Sequence, residues 1–247
     1  MFTRTLPAAV LAFVACASIT AQQGNAQQGA PPGRTVWDGA YTDAQAERAR
    51  PTFDARCANC HTLGTEGGAG NGGPVSGDKF WKAFTQRSVG DLLRFVKKNM
   101  PNGAQAGSLS AETYNDLVAL ILKSNGFPAG SVEVTPDTVA DIQIQPKDGP
   151  GLLPAGVLVR VVGCLTRDGN DWVVVRATAP ERIDSAGTGP TDATRPLGTG
   201  SMALKFSLTR LDRLAEQRVS VSGLLIGTAG IGGINVSSVT RVAANCQ

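Results

Sequence analysis

The sequence predicts an α+β chain built as two domains, an all-α unit followed by a small all-β unit. Three observations carry that division. Apolar residues recur at helical spacing from residue 41 to about residue 127. From residue 156 onward they recur at a spacing of two, as in half-buried strands. Between the two lies a stretch punctuated by Pro136, Pro146, Pro150 and Pro154, which reads as a linker over residues 129–155. A chain of 247 residues has room for two modest domains.

In the helical part, Thr42 is an N-cap and Gln45 stands where a capping box needs its second member. The helix that follows directs Ala46, Ala49 and Phe53 to one side. Pro51 inside it removes a backbone donor and is expected to kink it. Ser88 and Asp91 repeat the cap signal for a second helix, with Leu92, Phe95 and Val96 as its apolar face. Ser110 opens a third, flanked by Leu109 and Tyr114 at staple spacing. Its face is Tyr114, Leu117, Val118, Ile121 and Leu122, and Asn125-Gly126 ends it.

The β part reads as strands over residues 157–165, 172–178, 201–208, 219–226 and 234–242, with a short helical piece at 211–216. Arg167-Asp168-Gly169-Asn170 supplies the first hairpin turn. Five strands with a helix between the third and fourth is the order of an OB-like barrel, although a β-sandwich fits the same string. The expected organisation is a leader over residues 1–26, a helical domain over 36–128, the linker, and a β domain over 156–247.

Chemistry concentrates in Cys57-Ala58-Asn59-Cys60-His61. Two thiols three positions apart can each form a thioether to a haem vinyl group, and the next histidine is placed to ligate the iron. His61 is the only histidine, which excludes bis-histidine ligation. A structural zinc would need four ligands, and the remaining thiols, Cys164 and Cys246, lie in the β part. A dithiol redox pair expects a βαβ setting, not helices and glycine. One covalent haem c is therefore expected. Its face would supply the apolar surface that the Gly-rich residues 62–74 lack.

The sixth ligand is sought among three methionines. Met1 leaves with the leader and Met202 falls in a strand. Met100, in Asn99-Met100-Pro101-Asn102-Gly103, stands between the second and third helices and can reach the distal face. A methionine filling the core at a helix end is the alternative use.

Residues 6–19 form an apolar run of signal-peptide length, followed by Gly24-Asn25-Ala26 at a cleavage-like site. The run is too short for a transmembrane helix. Cys16 after Val14-Ala15 loosely fits a lipoprotein site, so membrane attachment is expected only if that cysteine is lipidated. Export to the periplasm gives Cys164 and Cys246 an oxidising compartment in which to pair, with two buried free thiols as the alternative. The 23 basic and 20 acidic residues are nearly balanced, which does not point to nucleic acid.

Residues 41 to about 128 resemble a class I monohaem cytochrome c domain. The matching pieces are the Cys57-to-His61 motif, Gly73-Pro74, Asn99-Met100-Pro101, and the third helix running into Gly126-Phe127-Pro128. The resemblance implies that a prolyl carbonyl near Pro74 accepts a hydrogen bond from the His61 ring, and that Tyr114 packs on Phe53. It implies an electron carrier, not an enzyme, with no catalytic residues. His61 and Met100 would be the axial ligands of the haem iron, and neutral methionine sulfur would raise the potential.

The expected partners are a periplasmic dehydrogenase, with the quinoprotein type as the nearest association, and an oxidase or other downstream acceptor. Lys79, Lys82, Arg87, Arg94, Lys97 and Lys98 would steer an acidic partner, or simply form a solvated face. Two further readings stay open. One is an open-haem, peroxidase-like enzyme. The other is a haem-based sensor whose β domain binds a ligand or partner.

Overall fold

The computed structural model describes residues 33–68, 72–227 and 232–246. The expected leader over residues 1–26, with Met1 and Cys16, lies outside them. Among the described residues no helix is long and apolar enough to cross a membrane.

After a 3₁₀ turn at Val36–Asp38 come α1 (Asp43–Arg56), β1 (His61–Thr62), β2 (Gly73–Pro74), α2 (Asp78–Phe84) and β3 (Arg87–Ser88). Then follow α3 (Val89–Asn99), α4 (Ala111–Ser124), α5 (Pro136–Val139) and β4 (Gln143–Ile144). Thr42 caps α1, its hydroxyl accepting from the Gln45 N–H at 3.1 Å. Gln45 does not complete the capping box. Its buried amide instead donates to the Val134 carbonyl at 3.0 Å and accepts from the Val134 N–H at 2.7 Å. α1 continues through Pro51 as one helix, so the missing donor does not end it.

Ser88 and Asp91 form the full capping box of α3. Leu92 and Val96 are buried, but Phe95 is 47% exposed and meets Phe84 edge-on at 5.7 Å, off the core face. Ser110 caps α4, and its end is a Schellman turn. Gly126 there adopts φ 77°, and the Phe127 N–H returns to the Leu122 carbonyl at 3.3 Å.

One apolar core joins Ala46, Ala49 and Phe53 of α1 to Tyr114, Leu117, Val118 and Ile121 of α4. The stretch expected to be a linker enters this core. Val134, Val139, Ile142 and Ile144 are buried in it. β4 pairs antiparallel with β3, and the Gln143 N–H bonds the Arg34 carbonyl at 2.8 Å. These apolar residues come from a four-residue helix, a two-residue strand and the chain beside them, elements too short for a helical or strand period to mark.

A second core lies in the sheet of β5 (Leu158–Asp168), β6 (Asp171–Ala177), β7 (Glu181–Arg182), β8 (Gly200–Lys205), β9 (Arg218–Ile226) and β10 (Gly233–Ala243). A 3₁₀ turn at Leu211–Leu214 stands between β8 and β9. Gly169 takes φ 58° in the hairpin that sets Asp168 opposite Asp171. β5 pairs with β6, β6 with β8, β8 with β10, β10 with β9, and β9 with β5. Among the described residues of this sheet only the β8–β10 pair is parallel. Val159, Val161, Leu165, Val174, Met202, Val219 and Ile234 are buried between these strands. Cys164 and Cys246 are disulfide-bonded, which ties β5 to the chain end.

The long segment after β7 is pinned to the sheet by Asp192. Its buried carboxylate accepts from the Ser220 hydroxyl at 2.6 Å and the Gly189 N–H at 2.7 Å. Toward the helical core, Arg87 pairs with Asp184 at 3.0 Å, and the Arg182 N–H donates to the Gln86 side chain at 3.2 Å.

Candidate haem-binding site

The Cys57-to-His61 segment forms at the end of α1. The Cys57 N–H still bonds the Phe53 carbonyl at 2.8 Å, and the His61 N–H bonds the Cys57 carbonyl at 2.8 Å, so the helix tightens into a turn. Cys57 is half-buried, Cys60 is exposed, and both thiols are free. Burial, and secondarily the neighbouring Cys60, pushes the Cys57 thiol above its ordinary range.

His61 is held from the glycine loop. β1 and β2 pair in parallel, with His61 opposite Gly73 and Thr62 opposite Pro74. The His61 Nδ1 lies 3.0 Å from the Gly73 carbonyl oxygen. A carbonyl only accepts, so this bond places the proton on Nδ1 and leaves Nε2 for a metal. The accepting group is therefore the carbonyl of Gly73 rather than that of Pro74, because the strand register sets Gly73, not Pro74, opposite the histidine.

The loop between β1 and α2 is knitted locally. The buried Ser76 hydroxyl donates to the Gly64 carbonyl at 2.6 Å. Asn125 at the end of α4 donates to the Val75 carbonyl at 3.1 Å and accepts from the Gly77 N–H at 3.2 Å. Gly72 is compressed against the motif: a Cβ there would lie 2.2 Å from the Cys60 carbonyl oxygen. The sequence patterns do not mark Ser76, and they mark Asn125 only as a helix end.

Met100 is the C-cap of α3, its N–H bonding the Val96 carbonyl. Its carbonyl accepts from the Tyr114 hydroxyl at 2.6 Å. Cys57, Leu63, Val75, Trp81, Met100 and Leu109 all pack half-buried against the helical core. An open hollow of about 390 Å³ lies at His61, lined by residues including Phe53, Asp54, His61 and Leu63; Met100 is not part of its lining. Met202, by contrast, is buried in the second core.

The donors present suit haem c. Two unpaired thiols on one turn, an imidazole with one nitrogen committed to backbone, and half-buried apolar side chains that a flat apolar ring would cover all fit that group. Zinc fits less well, because the other two thiols are bonded to each other. Among the described residues, no group of three or more His, Cys, Asp or Glu could hold a metal ion.

Of the six basic residues that the sequence groups before Met100, Arg87 pairs with Asp184 and Arg94 with Asp91. The Lys79 ammonium donates to the Gly72 carbonyl at 2.6 Å. Lys82, Lys97 and Lys98 make no ion pair among the described residues.

The class of protein these features suit is the haem-bearing, electron-transferring cytochrome c domain. Residues 44–121 match the family described as cytochrome C oxidase, cbb3-type, subunit III. That match supports a cytochrome c domain in the helical half, with haem c as its cofactor and electron transfer as its work. Such a domain is not an enzyme in itself. No curated protein and no solved structure matches the chain.

Proposed function

We propose that the protein is a periplasmic carrier of single electrons, with one haem c bound covalently through Cys57 and Cys60 and ligated by His61 and Met100. The observation that carries this reading is the His61 ring, fixed at 3.0 Å from the Gly73 carbonyl one residue after two free thiols. Haem bound there would supply a metal centre that gains and loses one electron. The chain's own residues do the rest. Gly73 keeps the imidazole oriented with Nε2 free, Met100 offers a neutral thioether, and Phe53 and Leu63 exclude water.

The carrier would take electrons from a periplasmic dehydrogenase and pass them to an oxidase or another downstream acceptor. The match to an oxidase subunit family supports a redox protein as the partner. Lys82, Lys97 and Lys98 suit an acidic docking face. The β half is read as an OB-like barrel serving as a docking unit. Its support is that the strand pairings run in a closed circuit from β5 back to β5. Processing after residue 26 would export the chain, and lipidation at Cys16 would attach it to a membrane.

The test is an optical spectrum of periplasmically expressed protein, oxidised and reduced, with acid–acetone extraction of the haem. Haem that resists extraction, a low-spin spectrum, and a methionine charge-transfer band lost in Met100→Ala are the expected results. A high-spin spectrum or ready carbon monoxide binding would replace this reading with an open haem. Haem that extracts freely would remove covalent attachment.

A further inference from the structure

Met100 is tethered through its main chain. Its N–H continues α3 by bonding the Val96 carbonyl at 2.9 Å. Its carbonyl accepts two donors, the Tyr114 hydroxyl at 2.6 Å and the Gly107 N–H at 3.3 Å. Only the first is short enough to be a strong bond. The Leu109 N–H lies 3.4 Å from the same hydroxyl oxygen, so Tyr114 reaches both ends of the loop that follows Met100.

That loop has little else to hold it. Residues 102–108 are all exposed, and the contacts within them are short-range turns such as Ala106 N–H to Gly103 carbonyl. Leu109 is the one residue of the loop that packs on the core. Tyr114 itself is fully buried in the first turn of α4, where neighbouring apolar side chains fix its ring. A rigid phenol therefore anchors a loop that lacks a core of its own.

We propose that Tyr114 is a positioning residue for the axial methionine: its hydroxyl holds the Met100 carbonyl and so keeps the thioether available as an iron ligand. This rests on the reading of Met100 as that ligand. Tyr114→Phe keeps the ring and removes only the hydroxyl. The Met100 carbonyl then depends on the longer Gly107 bond, and the loop is free to swing with its sulfur.

The experiment compares wild type, Tyr114→Phe and Met100→Ala as purified ferric holoproteins. The methionine charge-transfer band is followed from neutral to alkaline pH, and chemical unfolding is measured on the same samples. For Tyr114→Phe the expected result is a band intact at neutral pH that disappears at lower pH than in wild type. The shift corresponds to an about tenfold larger methionine-free fraction at a given pH. The unfolding midpoint should move far less than the band.

A Tyr114→Phe band that titrates as in wild type overturns the positioning role while leaving Met100 as ligand. So does a band shift no larger than the general loss of stability explains. If Met100→Ala leaves the wild-type spectrum unchanged, the ligand assignment falls and this role falls with it.

Discussion

The His61 Nδ1 stands 3.0 Å from the carbonyl oxygen of Gly73, across a two-residue parallel bridge. Beside that bridge, Gly72 lies close against Cys60 of the motif. Gly73 itself adopts φ 64°, which favours glycine. Gly72→Ala would set a methyl 2.2 Å from the Cys60 carbonyl oxygen, so the motif and loop must separate. The expected outcome is a sharp fall in the yield of covalently haem-loaded protein, measured as haem absorbance per chain. A normal yield would show that the bridge is not needed for attachment.

Cys57 and Cys60 should differ in reactivity before haem is attached. The raised thiol of Cys57 holds less thiolate at neutral pH, and the side chain is also half-buried. Alkylation of haem-free protein near neutral pH should label Cys60 first, with Cys57 catching up as pH rises. Peptide mass mapping at intervals checks the order.

Gln45 ties α1 to the backbone of Val134 through two hydrogen bonds, at 3.0 and 2.7 Å. Gln45→Ala leaves both backbone groups unpaired in a buried place. A loss of about 2–3 kcal/mol in unfolding free energy is expected. Denaturant titration would measure it, and an effect below about 0.5 kcal/mol would mean that water replaces the amide.

The disulfide between Cys164 and Cys246 spans a sequence separation of 82 residues. Closing so long a loop restricts the unfolded chain, worth roughly 4.5 kcal/mol on the chain-entropy account. Cys164→Ala with Cys246→Ala should therefore lower the melting temperature of the β half. The haem spectrum should stay as it was, because the motif belongs to the other core. A changed spectrum would reveal coupling between the halves.

Arg48 bridges Asp116 at 2.9 Å and Glu133 at 2.8 Å, joining α1 to α4 and to the chain beyond it. The hydrogen bond from Arg48 holds the Glu133 carboxyl below the ordinary glutamate range. A lowered folded value adds stability above the ordinary pKa of about 4.3, and that stability is lost as pH falls through the folded value. Wild type should exceed Glu133→Gln slightly above about pH 5 and converge with it in stronger acid. The difference is small, because both partners are substantially exposed. Urea midpoints across that range would test it.

The elements that came through from the sequence are those specified by neighbours in the chain. Ser88 with Asp91, Ser110, and Asn125-Gly126 bound α3 and α4 because caps act over three or four residues. β5, β6, β8, β9 and β10 are legible because the alternation of apolar and polar residues follows the backbone pleat, whereas the two-residue β7 is too short to show it. What failed was non-local. Gln45 had a better partner in Val134 than in its own cap. Phe95 stands off the core, half exposed, with its ring against that of Phe84. The segment from Val134 to Ile144 reads as a linker by its prolines, yet supplies four buried residues to the helical core.

The sequence by itself determined the chemistry of this protein: two thiols and the only histidine in one five-residue motif, with Met100 beyond the next capped helix. Those are matters of residue type and short spacing, which no packing changes. Tertiary structure alone decided that the Gly73 carbonyl rather than that of Pro74 accepts the hydrogen bond from His61 Nδ1. It also decided that Tyr114 holds the Met100 carbonyl and that Val134 closes on Gln45. Each of these bonds joins residues about 12 to 89 positions apart, or turns on a one-residue register. Only the closing of the whole core brings such groups within hydrogen-bond reach, and that closing is a property of the fold rather than of any local pattern.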